Sequence, residues 1–414
     1  MTQLKPDNEA FGSKLYTLLS AKKTIMSTLN TNLKVINIKS FHSLNKIIAK
    51  PIIAPINVPP HSNSAVDGYA IKFKDLNMNR ENKFILVGKS KAGKPYKNLL
   101  KKNETIRVLT GAIIPKNADT VIMEEDCIVI KNEIIFPDNI KKGINFRKYG
   151  EDLKIKSKVF DTGHKIKPQD VGILSSLGIH KIKSFKDISV SIFSCGDELT
   201  NSNKNIKTGK IYDSNRGMLL AFLKQLGVKV KDLGIVPDNR SKIIKTLNIA
   251  AKSDLILSSG AMSLGDEDHI KNIIENNGNL RVWRLAIKPG RPVGFGHYKN
   301  TNFLGLPGNP AAAFVTFLIL GVPIIKKLRG EKITDPIMHK IKVNFHHSKK
   351  YGRKEFIRVR LDTNKNLLNK FPKVGAGILS STSWANGLGI INEDTTVIKP
   401  NDKILFVSFN ELIN

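Results

Sequence analysis

Residues 254–270 read DLILSSGAMSLGDEDHI: an unbroken apolar run, a turn bounded by Gly260 and Gly265 that leads into Asp266, Glu267 and Asp268, and then the first residues of a helical pattern. A short apolar run closed by glycine is what a strand buried on both faces looks like, and the pattern that follows completes a strand–loop–helix unit. The unit recurs on both sides. Upstream stand ISVSIFS, a helix in NRGMLLAFLKQLG, the strand VKDLGIV and the helix RSKIIKTLNIAAK; downstream follow the helix HIKNIIENN, the strands VWRLAIK and NFLGL, and the helix AAAFVTFLILG. From about Ser184 to Gly330 this alternation predicts an α/β domain, a mostly parallel sheet with helices on both faces.

The flanks read differently. Between Asn63 and about Arg147 short apolar runs (FILVG, TIRVLTG, ADTVIM, CIVI) alternate with Gly, Asn, Lys and Pro, which predicts a small β-rich lobe. The opening stretch to about Ala54 reads as helical segments with one strand, LKVINI, and PQDVGILSSLGI reads as a helix entered through Pro168 and ended at Gly178. Beyond about Lys332 the strand-like runs IKVNF, FIRVRL and ILFVSF predict a final β domain. At 414 residues several domains are expected.

Composition narrows the classes. With 41% hydrophobic and 25% charged residues the chain has the balance of a folded globular protein. Cys127 and Cys195 stand alone, with no zinc or disulfide spacing, which fits a reducing cytoplasm, and the N-terminal stretch lacks the pattern of a secretory signal. The run PAAAFVTFLILGVPII is interrupted by Thr316 and Pro323 and is read as a buried helix, so no membrane span is expected. The net charge of +32 would attract nucleic acid, but the lysines are scattered in pairs along the chain without interleaved aromatics or a helix-turn-helix or zinc-finger spacing. Nucleic acid is therefore not the expected partner.

In an open parallel sheet, ligands bind outside the carboxyl ends of the strands. There this chain places Asp197 and Glu198 after ISVSIFS, Asp238 after LGIV and Asp266 to Asp268 after DLILSSG, with Asp213 before the first helix. Carboxylates gathered on one rim repel one another unless a hard cation such as Mg²⁺ neutralises them, and Mg²⁺ commonly bridges to substrate phosphates. Asp213 and Asp268 also suit helix N-caps. The glycine turns Ser259-Gly260-Ala261-Met262-Ser263-Leu264-Gly265 and Leu306-Pro307-Gly308-Asn309-Pro310 offer backbone N–H groups to oxyanions, and Arg284, Lys288 and Arg291 add cations. No GxSxG, GxxxxGK[ST], HExxH or GxGxxG pattern occurs, so nucleophilic hydrolysis, P-loop phosphoryl transfer and zinc catalysis lose support.

The strings SNSAVDGYA, RVLTGAIIPKNADTVIMEE, NFRKYGEDL, CGDEL, IYDSNRGML, DLILSSGAMSLGDEDHI, WRLAIKPGRPVGFG and LGLPGNPAAAFVTF, in that order, resemble the molybdopterin molybdenumtransferases, bacterial enzymes related to the C-terminal domain of gephyrin. The resemblance runs from about residue 45 to the C-terminus. It implies an N-terminal helical and linking domain (1–54 with 147–183), an inserted β-rich lobe (55–146), the α/β molybdopterin-binding domain (184–331) and a C-terminal β-barrel (332–414). It further implies a cytoplasmic homodimer with a cleft between the α/β domain of one subunit and the lobe of the other. The implied reaction is Mg²⁺-dependent insertion of molybdate into adenylylated molybdopterin with release of AMP, with a molybdopterin adenylyltransferase upstream. By the same implication Glu198, Asp238 and Asp268 are metal or catalytic carboxylates, and Asp67, Thr110 and Asp152 are catalytic cleft residues. Substrate contacts would come from Asp213, Ser259, Gly260, Ser263, Gly265, Arg284, Lys288, Pro307, Gly308, Asn309, Pro310, Arg353 and Ser380.

The chain departs from the family pattern at Ala261-Met262, where Gly-Val is usual, at His269, where tyrosine is common, and at Arg284, where lysine is frequent. Tungstate in place of molybdate, or a non-catalytic scaffold, are the alternatives left open.

Overall fold

The computed structural model describes residues 15–77, 81–260, 269–373 and 375–414. At its centre lies a six-stranded sheet in the order Lys229–Val236, Ser189–Cys195, Leu255–Ser259, Thr301–Leu306, Gly294–Tyr298 and Gly278–Trp283. The first four run parallel; Gly294–Tyr298 turns back antiparallel between Thr301–Leu306 and Gly278–Trp283. Every residue of Leu255–Ser259 and Thr301–Leu306 is buried, as their unalternating apolar runs require.

Successive residues of a strand face opposite ways, so one strand feeds two cores. Ile192 packs with Leu219 and Leu223 of the Ser214–Gln225 helix and with Val315 and Phe317, whereas Phe193 packs with Ile243 and Leu247 of the Arg240–Ala250 helix and Ile270 and Ile273 of His269–Asn277. Burying one such side chain contributes about 1.5–3 kcal/mol. Pro310–Leu328 is long and apolar enough to cross a membrane, yet 83% of it is buried inside the protein. It forms a helix with a π-turn at Phe317–Gly321, just before Pro323, which has no N–H to continue the ladder.

Two local readings need correction. The sequence GFGHY forms the strand Gly294–Tyr298, which its glycines had hidden; at Gly296 a Cβ would stand 2.2 Å from the Asn279 carbonyl oxygen of the next strand, so no side chain fits. The strand read through VWRLAIK ends at Trp283. Arg284 turns left-handed (φ 61°), and Ile287–Lys288 leave the sheet to pair with Lys354 and Glu355.

That pairing joins the α/β sheet to the C-terminal barrel, whose five strands His339–Val343, Lys354–Asp362, Leu367–Lys370, Gly387–Ile391 and Lys403–Ser408 close through the contact of Lys354–Asp362 with Gly387–Ile391. The β-rich lobe is a second six-stranded sheet, ordered Thr120–Met123, Gly68–Ile71, Glu104–Val108, Asn82–Ser90, Glu133–Phe136, Ile128–Ile130. Between lobe and core, Val35–Lys39 pairs with Lys181–Phe185 and Ile52–Ile53 with Lys158–Phe160, and the helix Pro168–Ser176 ends before Gly178 (φ 67°). The Leu18–Thr28 helix places Leu18, Ala21 and Ile25 in the core of the α/β sheet.

Candidate active site

Because the four central strands are parallel, their carboxyl ends share one edge. At that edge Gly196 N–H donates to Val236 O (3.3 Å) and Asp238 N–H donates to Asp197 Oδ1 (3.1 Å), tying the first two loops together and occupying Asp197 with backbone. The Glu198 carboxylate folds over Gly196, where a Cβ would meet its Oε2 at 2.4 Å. Among the described residues no ion pair engages Glu198 or Asp238.

The glycine loops adjoin these carboxylates. Gly260 is left-handed (φ 84°), its N–H donates to Leu306 O (3.3 Å), and any Cβ would lie 2.3 Å from the Cys195 carbonyl oxygen. Only glycine fits there. The position of a Cβ on Gly308 is 3.7 Å from Gly260 Cα, so the two loops run side by side. Ser259 Oγ accepts from Asn215 Nδ2 (2.9 Å). Asn309 is the N-cap and Pro310 the first residue of the buried helix. Ser263, Gly265 and Asp268 lie outside the described residues, as does Ala261.

Asp213 has a local job: its side chain caps the Ser214–Gln225 helix through Arg216 N–H (3.1 Å) and pairs with the Arg216 guanidinium (3.0 Å), leaving it 2% exposed. Arg284 and Arg291 sit close enough that, after burial, the charge of Arg284 depresses the Arg291 pKa. Lys288 binds the buried Glu355 at 2.9 Å, and His347 Nε2 reaches the same carboxylate at 3.0 Å. Burial lowers the pKa of the half-buried Arg353, and the charge of Glu355 opposes the shift.

Ser380 opens a short helix, Ser380–Trp384, held by a residue the sequence had not singled out. Arg358 is buried, and it donates from Nε to Ser381 Oγ (2.9 Å) and from Nη2 to Gly375 O (2.9 Å). The next carbonyl, Ala376 O, accepts from Ala311 N–H (2.9 Å) in the first turn of the buried helix, so the barrel segment 375–381 is drawn up to the Pro307–Pro310 loop.

In the lobe the structure brings Asp67 and Thr110 together. Asp67 Oδ1 accepts from the Thr110 amide (2.7 Å) and hydroxyl (2.7 Å), and these bonds, the amide's first, hold its carboxyl below the usual range. Asp152 is exposed and anchored through its N–H to Val58 O (3.0 Å). No hydrogen bond or ion pair between described residues links this lobe to the α/β rim of the same chain. Nor does any group of three or more His, Cys, Asp or Glu among the described residues stand close enough to share a metal ion. Glu198 and Asp238 provide two carboxylates on one rim, a set that suits Mg²⁺ only with phosphate or water completing its shell.

A sheet with helices on both faces, glycine loops and carboxylates without cationic partners among the described residues at its carboxyl edge, together with a barrel and an inserted β lobe, defines a multidomain α/β protein with a ligand-binding edge. Three family models tile the chain: the MoeA N-terminal region (domains I and II) over residues 16–178, a probable molybdopterin-binding domain over 191–327, and the MoeA C-terminal region (domain IV) over 340–409. It is 36% identical over 378 residues to the molybdopterin molybdenumtransferase of Haemophilus influenzae, covering 89% of this chain and 92% of that one. With gephyrin of Dictyostelium discoideum it shares 31% identity over 346 residues, 73% of this chain and 48% of that protein. The molybdopterin biosynthesis MoeA protein of Pyrococcus horikoshii OT3 superposes with a TM-score of 0.84 at 26% identity, covering 95% of this chain and all (100%) of that one. The chain belongs to the MoeA family of molybdopterin molybdenumtransferases.

Proposed function

We propose that this chain catalyses molybdenum insertion in molybdenum-cofactor biosynthesis, taking adenylylated molybdopterin and molybdate and releasing AMP. What carries the reading is one juxtaposition: in a chain of this family, loops 196–198, 237–238, 259–260 and 307–309 meet at one strand edge with the Glu198 and Asp238 carboxylates left without cationic partners among the described residues.

The Gly308 and Asn309 N–H groups, which have no acceptor among the described residues, and the N-terminal dipole of the buried helix would hold an oxyanion. Arg284 and Arg291 add guanidinium groups suited to phosphate or molybdate oxygens. Mg²⁺ held by Glu198 and Asp238, with Asp268 as the third expected carboxylate, would neutralise charge on the phosphoanhydride. The protein's own contribution is to position the pterin phosphate against the loops while the dithiolene faces the molybdate. The reading includes a homodimer in the cytoplasm, in which the Asp67–Thr110 pair of one subunit faces the rim of the other, and supply of substrate by a molybdopterin adenylyltransferase.

The test is direct. Purified protein with Mg²⁺, molybdate and adenylylated molybdopterin should release AMP and yield a cofactor that reconstitutes a molybdenum-free apoenzyme. Release of no AMP under these conditions would end the assignment.

A further inference from the structure

Asn215, the second residue of the Ser214–Gln225 helix, is 7% exposed and stands between the two glycine loops. Its Nδ2 donates to Ser259 Oγ (2.9 Å) on one side and to Gly308 O (2.7 Å) on the other, with Pro307 O a longer third acceptor at 3.5 Å. The acceptors on the Gly308 side are carbonyl oxygens, so the amide cannot be turned round without setting oxygen against oxygen. In this orientation Oδ1 is buried and has no hydrogen-bond partner among the described residues. Ser194, in register with Ser259 on the neighbouring strand, carries a second buried hydroxyl without a partner among the described residues.

A buried acceptor left unpaired opposes folding. A residue chosen for packing alone would be apolar at this position; Asn215 keeps an unpaired oxygen in order to keep its two donor directions. Those directions join the loop after one parallel strand to the loop after the next, and the joined loops bring Gly308 alongside Gly260, whose left-handed backbone admits no side chain.

We propose that Asn215 is a positioning residue of this site: it clamps the Ser259-Gly260 loop to the Pro307-Gly308 loop and so sets the position of the Gly308 and Asn309 N–H groups, which have no acceptor among the described residues and face the substrate's phosphate or oxyanion. It acts through the loops and does not touch the reacting atoms. The inference rests on the proposed function for its catalytic consequence, while the clamp itself is a property of the protein without ligand.

The experiment uses the full chain with Asn215→Leu, which has a similar shape, loses both donors and removes the orphaned oxygen. Hydrogen exchange in the absence of ligand should quicken at least tenfold in peptides covering 259–260 and 306–311 and stay unchanged in the barrel strands, which separates loosened loops from the modest global loss expected when the Ser259 hydroxyl and the Pro307 and Gly308 carbonyls lose their donor. In turnover, KM for adenylylated molybdopterin should rise tenfold or more with a smaller change in kcat. Unchanged exchange in both loop peptides overturns the clamp, whatever the activity. Unchanged KM in Asn215→Leu, where the wild-type protein turns over, overturns the positioning role. A wild-type protein that releases no AMP sinks the function reading instead, and exchange still decides the clamp. Should Asn215→Leu not fold, Asn215→Ser, which keeps one donor, carries both readouts with intermediate values expected.

Discussion

The protein treats its carboxylates in two opposite ways. At the seam between the α/β sheet and the barrel, Glu355 is 4% exposed and gripped by Lys288 at 2.9 Å and His347 at 3.0 Å, within the strand pairing that joins the two domains. At the rim of the same sheet, Glu198 lies over a glycine and Asp238 beside Asp197, and among the described residues neither has a cationic partner. In a chain with a net charge of +32, leaving two carboxylates unpaired at one edge is not forced by a shortage of lysine. The seam uses charge to hold structure, and the rim keeps charge available for a ligand.

If that contrast is right, neutralising the rim should remove activity without removing the fold. Glu198→Gln or Asp238→Asn should lower turnover by ~100-fold or more, the scale expected where electrostatic stabilisation is lost. Both are exposed enough that stability should move by no more than about 0.5 kcal/mol, checked by urea denaturation. The opposing lobe sharpens the test. If the site is shared across a two-fold dimer, random mixing of inactive Asp67→Asn with inactive Glu198→Gln should restore roughly a quarter of wild-type activity, since half the dimers are mixed and each holds one intact site. No recovery in mixtures shown to exchange subunits would place both halves of the site in one chain.

The seam should behave in reverse. Glu355→Ala leaves Lys288 and His347 without their carboxylate; a broken buried pair costs about 3–5 kcal/mol, and because the Lys288 side chain is 47% exposed about 2–3 kcal/mol is expected here. The pH dependence has a definite sign. Burial pushes the Glu355 carboxyl up, but hydrogen bonds from His347 and Lys288 outweigh it and hold the group below the ordinary glutamate range. A carboxyl whose folded pKa is depressed stabilises the protein above its unfolded pKa, and that contribution is lost as pH falls through the lower folded value. Denaturation midpoints measured from neutral pH down through the glutamate range should therefore fall less steeply for Glu355→Gln than for wild type. Parallel curves would show that Glu355 holds no special charge interaction.

The same contrast explains what the sequence made legible. The strands Leu255–Ser259 and Thr301–Leu306 and their loops can be read because burial on both faces leaves short apolar runs without polar–apolar alternation, and the carboxyl-edge rule then gathers Glu198, Asp238, Gly260 and Gly308 from the sequence. What could not be read depends on partners distant in sequence. Lys288 looked like a free cation beside Arg284, because nothing local announces that Ile287–Lys288 will pair with Lys354–Glu355. GFGHY hid its strand because a neighbouring backbone, invisible in the string, excludes a side chain at Gly296. Asn215 sat in plain view inside IYDSNRGML, but a helix-opening Asn carries no mark of the two loops it joins.

The smallest effect probes the lobe's side of the comparison. Thr110 gives Asp67 Oδ1 two bonds, and the amide's contributes more to the depressed carboxyl than the hydroxyl's. Thr110→Val removes only the hydroxyl, so an NMR titration should find the Asp67 carboxyl higher than in wild type but still below the usual aspartate range. Because the amide continues to orient the carboxylate, turnover should fall only a few-fold, less than about tenfold. A loss as large as that of Glu198→Gln would mean that the Thr110 hydroxyl meets the substrate itself. The lobe would then belong with the rim as reactive surface, and its role as a support that aims Asp67 would be abandoned.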